Sequence, residues 1–145
     1  MPAKVADLLN HKGHQVVTAT PETSIADAAR MLTIHRIGAV PVLGPDGSLA
    51  GIVSERDIVR GIVESGVAIM TAPVGRLMTR EVRTCRPGDE IVALMETMTN
   101  QRIRHLPVMQ GGELLGIVSI GDVVKQRLAE AHFELEELHR YIASN

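Results

Sequence analysis

Two stretches hold the side chains best placed to do chemistry, GIVSERDIV at 51–59 and GIVSIGDVV at 116–124. Each sets a serine three residues before an aspartate: Ser54 with Asp57, and Ser119 with Asp122. An aspartate carboxylate accepts two hydrogen bonds at once, which suits the vicinal hydroxyls of a ribose. A serine hydroxyl and the free N–H groups of a helix start donate to phosphate or sugar oxygens. The leading glycines, Gly51 and Gly116, are read as leaving room for a ligand against the strand backbone. The same Ser-x-x-Asp spacing is also a helix capping box, and spacing alone does not choose between cap and ligand. The two roles are compatible.

Other residues recur at matched places. Thr18-Ala19 and Thr84-Cys85 end short strands, and Val40-Pro41 and Leu106-Pro107 lie at a later strand. Apolar strand ends of this kind hold a flat base, with backbone groups reading its edge. Arg104 and His105 precede Leu106-Pro107, whereas Gly38 and Ala39 occupy the corresponding places in the first half. Arg104 and His105 form a basic pair at that place, either a phosphate contact or a solvated basic spot on a strand end. Arg56 and Arg60 belong to the first half alone.

Several chemistries find no support. Cys85 is the single cysteine, so neither an internal disulfide nor a cysteine-based zinc site can form within one chain, and no base stands next to it in sequence. Of the six histidines, His11 and His14 are three apart and His132 and His139 seven apart, with no nearby Asp or Cys to complete a set, so no metal is expected. No convergent nucleophile or acid–base pair emerges, so the chain is not expected to be an enzyme. Net charge is −2, and Phe133 and Tyr141 are the only aromatics. That balance leaves nucleic acid an unfavoured partner despite the run Arg76, Arg80, Arg83 and Arg86. The N-terminus lacks a signal-peptide core, no apolar run approaches the roughly 18–20 residues of a bilayer span, and the expected location is cytoplasmic.

These side chains are positioned by an internal duplication. Residues 16–42 align with 82–108 at a constant offset, with identities including Pro21/Pro87, Ile25/Ile91, Arg36/Arg102 and Pro41/Pro107. One residue is lost in the following turn, and the two GIVS stretches then agree at six of nine positions. Each unit reads β-α-β-β-α, an α/β (α+β) class. The predicted strands are Val16–Ala19, Ala39–Leu43 and Leu49–Val53, then Val82–Cys85, His105–Met109 and Leu114–Val118. The first helix carries Ile25, Ala28, Ala29 and Leu32, opened by Ser24 with Asp27; its counterpart carries Ile91, Leu94, Met95 and Met98. One unit buries little surface alone, so two are expected to pack through their sheets in pseudo-two-fold symmetry and share a core. The boundaries read as repeat 1 over 1–65, a connection over 66–81, repeat 2 over 82–127 and a helical extension over 128–145. In the extension Leu128, Ala131, Leu135, Leu138 and Ile142 form a two-heptad apolar stripe, which packs either on its own domain or against a second copy.

GAVPV…GIVSERDIV and RHLPV…GIVSIGDVV resemble a tandem pair of cystathionine-β-synthase (CBS) domains, a Bateman module, across residues 16–125 almost without a break. The resemblance implies a stand-alone, non-catalytic, energy-sensing regulator. Such a module binds an adenosine ligand between its repeats: AMP is most favoured, with ATP, ADP or NAD as alternatives. It then signals in trans to a partner protein whose identity the sequence does not name, and it commonly forms a homodimer. By that resemblance Asp57 and Asp122 match the ribose-binding aspartate, and Ser54 and Ser119 the hydroxyl beside it. Thr18-Ala19, Thr84-Cys85, Val40-Pro41 and Leu106-Pro107 match the positions that frame the base. The other reading is a structural dimerisation module whose Ser-x-x-Asp sets only cap helices.

Overall fold

The computed structural model describes residues 2–13 and 16–144. His14, one of the histidines considered for a metal, lies outside them. The elements are α1 (Val5–Lys12), α2 (Ile25–His35), β1 (Ala39–Leu43), β2 (Leu49–Ser54), α3 (Glu55–Ser65), α4 (Ile91–Gln101), β3 (His105–Gln110), β4 (Glu113–Ser119) and α5 (Ile120–Ser144). Two 3₁₀ turns, Val67–Thr71 and Val74–Arg76, join the halves.

The duplication is realised in three dimensions. β1–β2 and β3–β4 are separate antiparallel hairpins, with Ala39 opposite Ser54 in one and His105 opposite Ser119 in the other. The expected leading strands shrink to one parallel bridge each, Ala19 to Val42 and Cys85 to Val108. The Ala19 N–H donates to the Pro41 carbonyl at 3.0 Å, and the Cys85 N–H to the Pro107 carbonyl at 2.9 Å. Pro21 and Pro87 follow two residues later, and a proline, having no N–H, cannot extend the ladder.

α2 and α4 bury the faces their spacing predicts: Ile25, Ala28 and Leu32, and Ile91, Leu94 and Met98. Ser24 Oγ accepts from the Asp27 N–H at 3.0 Å, but the Asp27 carboxylate turns to Arg30, so the box predicted there closes on one side only. Both helices end on an arginine in the left-handed region, Arg36 at φ 54° and Arg102 at φ 55°. A side chain there costs on the order of 1–3 kcal/mol, which the surrounding packing must offset.

The core is not shared as expected. Buried residues divide into two clusters, each completed by a segment from the other half of the sequence. Val5, Leu8 and Leu9 of α1 pack with Ile91, Leu94, Leu106 and Val118 of the second repeat. Val74 and Met78, from between the repeats, pack with Ile25, Leu32, Val40 and Val53 of the first. The two segments dock alike. The Val5 N–H reaches the Asp89 carbonyl at 2.9 Å, and the Val74 N–H reaches the Thr23 carbonyl at 2.8 Å. Residues 66–81 are therefore largely a part of the first core. The second GIVS stretch ends in α5, whose stretch 131–144 is exposed on every side. Among the described residues no helix is long and apolar enough to cross a membrane.

Candidate functional site

Both Ser-x-x-Asp sets form the caps their spacing allows. Asp57 Oδ2 accepts from the Ser54 N–H at 2.9 Å and the Ser54 hydroxyl at 3.1 Å, while the Asp57 N–H donates to Ser54 Oγ at 3.3 Å. Among the described residues Asp57 is the one charged residue that is buried. The cap uses only Oδ2. Oδ1 looks toward Arg60, whose Nη1 stands 3.7 Å away, beyond hydrogen-bond reach. A capping aspartate thus keeps one oxygen for a ligand hydroxyl, and the two readings of this motif coexist.

Asp57 opens into a cleft of about 290 Å³ between the two halves. The first half lines it with Gly38, Ala39, Ile52, Ser54, Glu55, Arg56, Asp57 and Arg60. The second lines it with Arg102, Ile103, Arg104 and His105, and Thr79, Glu81, Val82 and Arg83 close its edge. Five arginines face three carboxylates there. Apart from the loose Arg60–Asp57 approach, none of the five has a carboxylate within 4 Å among the described residues. An adjoining hollow, whose lining includes Arg56, Arg102 and Arg104, continues the cleft toward α4. Unpaired guanidinium groups converging on a hollow with apolar patches at Ile52, Val82 and Ile103 form a receptor for an anion with a flat apolar part.

His105 spans the two halves. A β-carbon on Gly38 would stand 2.8 Å from His105 Nε2, so the glycine leaves room for the ring in the position it takes. Burial lowers the His105 pKa, Lys12 and Arg104 lower it further, and Glu55 and Asp122 pull the other way. The ring is held neutral at pH 7, a hydrogen-bonding group and not a cation.

Of the residues picked from sequence, Gly38, Ala39, Ser54, Arg56, Asp57, Arg104 and His105 come together in this cleft. Ala19, Val40, Pro41, Cys85, Leu106 and Pro107 are buried, and they do not border it. Thr18 is half-buried and Thr84 exposed, and both also stand apart from it. Ser119 and Asp122 lie elsewhere. Asp122 Oδ2 accepts from the Ser119 N–H at 2.9 Å and from Lys12 Nζ at 2.6 Å. Burial acts to raise the Asp122 pKa, but the bonds from Lys12 and Ser119 outweigh it and leave the carboxyl below its ordinary value. Burial, with Asp89 nearby, pushes the Cys85 thiol up to about 12, so it is no thiolate nucleophile.

The reading of the motif glycines is corrected. A β-carbon on Gly51 would meet the Thr79 carbonyl oxygen at 2.7 Å, and one on Gly116 would meet Leu9 Cδ2 at 2.7 Å. The room these glycines leave is taken by the chain's own exchanged segments. Sequence reasoning passed over Arg102, whose signal was its identity with Arg36. It set Arg83 aside within a basic run. Thr79 and Glu81 had no local signal, because the pairing of Thr79 with Ile52 is long-range.

Residues 5–64 and 74–129 each match the family described as CBS domain. The mitochondrial CBS domain-containing protein CBSX3 of Arabidopsis thaliana is 36% identical over 95% of this chain and 71% of its own length. The crystal structure of the CBS-domain containing protein ATU1752 from Agrobacterium tumefaciens superposes with a TM-score of 0.84 at 46% identity, over 88% of this chain and 95% of that one. A crystal structure of the CBS domain pair of protein MJ0100, in complex with 5′-methylthioadenosine and S-adenosyl-L-methionine, gives a TM-score of 0.76 at 26% identity, over 86% of this chain and 98% of that one.

Proposed function

The chain belongs to the CBS-domain family, and from that premise we propose that it is a regulatory module binding an adenine nucleotide in the Asp57–Arg104 cleft. The observation that carries this reading is the cleft's composition: a half-used carboxylate from one repeat faces Arg102, Arg104 and His105 of the other. Asp57 Oδ1 takes a ribose hydroxyl, the Ser54 hydroxyl supports it, and Ile52, Val82 and Ile103 border the base. The arginines take the phosphates. The CBS domain pair solved with two adenosine derivatives supports an adenosine ligand here.

Charge refines the choice among ligands. S-adenosylmethionine carries a sulfonium, which five arginines oppose. AMP, the first expectation, offers one phosphate to this set, whereas ADP and ATP offer more contacts and more charge. The ligand is therefore taken to be a nucleoside di- or triphosphate. Since it touches both halves, its occupancy biases their relative arrangement, and a partner protein in trans reads that bias. The module does no chemistry of its own and acts in the cytoplasm.

A thermal-shift panel of AMP, ADP, ATP, NAD and S-adenosylmethionine tests this. A ligand that binds the folded state raises the melting temperature by mass action. ATP and ADP should give the largest shifts, and Asp57→Asn and Arg104→Ala should each diminish them. No shift with any adenosine compound would refute the reading and favour a purely structural module.

A further inference from the structure

The duplication gives Asp57 a counterpart in Asp122, and the two have different neighbours. In the first repeat the edge of β2 is satisfied by backbone. The Ile52 carbonyl accepts from the Thr79 N–H at 2.8 Å, and the Ile52 N–H donates to the Thr79 carbonyl at 2.9 Å. In the second repeat the matching carbonyl, Ile117, accepts from Lys12 Nζ at 2.9 Å. The difference has a cause in local structure. The segment that reaches Thr79 leaves its 3₁₀ turn after Arg76 and runs out to pair with β2. Its counterpart stays helical to Lys12, so a side chain has to reach the edge of β4.

The same ammonium lies 2.6 Å from Asp122 Oδ2, and both side chains are largely shielded, at 35% and 27% exposed. Asp57 has no such companion: its nearest cation, Arg60, is 3.7 Å away and 64% exposed. A sugar hydroxyl approaching Asp57 meets an oxygen without a strong partner. One approaching Asp122 meets a carboxylate already neutralised by a short charge-assisted bond, about twice as strong as a bond between neutral groups.

We propose that Lys12 is a built-in occupant of the second nucleoside position, so that one chain binds one nucleotide, at Asp57. This rests on the adenine-nucleotide reading above and adds the stoichiometry. It also assigns the N-terminal helix a part in ligand selection, because α1 completes the second core and delivers Lys12 to Asp122.

Isothermal titration of the full chain with ATP tests it. Wild type should bind one ATP per chain, and Asp57→Asn should leave no binding of wild-type affinity, because no second site takes over. Lys12→Ala removes both the charge and the reach of the side chain. It should raise the stoichiometry to two, and Lys12→Ala combined with Asp57→Asn should retain one tight site. Two ATP per wild-type chain, or one bound at wild-type affinity in Asp57→Asn alone, would overturn the inference, as would Lys12→Ala remaining at one. Should Lys12→Ala fail to fold, the wild-type and Asp57→Asn titrations still decide between one site and two. Wild type that binds no ATP would refute the nucleotide reading itself, and the stoichiometry with it.

Discussion

Gly51 of β2 lies directly against Thr79: a β-carbon there would stand 2.7 Å from the Thr79 carbonyl oxygen and 2.9 Å from Met78 Sδ. The backbone at Thr79 is fixed by two hydrogen bonds to Ile52 and cannot retreat cheaply. Gly51→Ala should therefore cost about 1–3 kcal/mol, the usual range for overpacking. Gly116→Ala meets only the tip of Leu9, which can change rotamer, and should cost less than half as much. Urea denaturation of the two variants measures the contrast, and equal costs would contradict it.

Arg36 and Arg102 share a strained left-handed conformation at equivalent helix ends, but only Arg102 lines the cleft. Replacement by glycine relieves the strain and adds freedom to the unfolded chain, so stability in both variants should stay within about 1 kcal/mol of wild type. Arg102→Gly should weaken ATP binding roughly tenfold through a lost charge-assisted contact, while Arg36→Gly should not. Titration calorimetry beside thermal melts reads both effects.

Two groups give stability a pH dependence in separate windows. His105 has its folded pKa lowered from 6.5, first by burial and then by Lys12. The unfolded chain therefore takes up the proton first, and stability falls as pH drops below about 6.5. Asp122 has its folded pKa lowered from 3.8, so its contribution is present above that value and lost as pH falls beneath it. Chemical denaturation from pH 7.5 to 5 should show the first loss, and His105→Gln should flatten it. The second loss should appear only below about pH 4 and vanish in Asp122→Asn.

The stripe on α5 does not pack on its own domain: Leu128, Leu135, Leu138 and Ile142 are each more than half exposed. An isolated helix segment of this length is marginal in water. We propose that the same helix of a second copy covers it, joined along the Leu128–Ile142 stripe as a short coiled coil. A chain ending at Arg127 should lose the dimer mass in light scattering, and an unchanged mass would remove the stripe from the interface.

Much of this was legible because it is local or repeated. Ile25, Leu32, Ile91 and Met98 declared their helices by spacing, and the two GIVS stretches declared both their strands and their caps. The cleft was half legible: Asp57 and Arg104 could each be picked out, but no local rule says they meet. The exchange of α1 with the Val74–Met78 segment was hidden. Val5, Leu8 and Leu9 do echo Val74, Leu77 and Met78, yet the echo lies at a different offset from the rest of the duplication. Even when noticed, it does not say which core each segment enters. Lys12 was invisible for the same reason, since its partners lie over a hundred residues away. The glycines of the motif were misjudged because an empty place beside a strand looks the same in sequence whether a ligand or the chain itself fills it.

The exchanged segments also govern how force would pass through the molecule. The chain begins in the second core with α1, crosses to build the first, and returns to finish where it began. α1 and the start of α5 are thus both anchored in one half, where they touch, and the other half is an insertion between two strips of it. Tension applied at the termini would strip the outer half first and reach the inserted half only afterwards. A single cut near residue 80 would not separate the two, because α1 would still clasp the part beyond the cut.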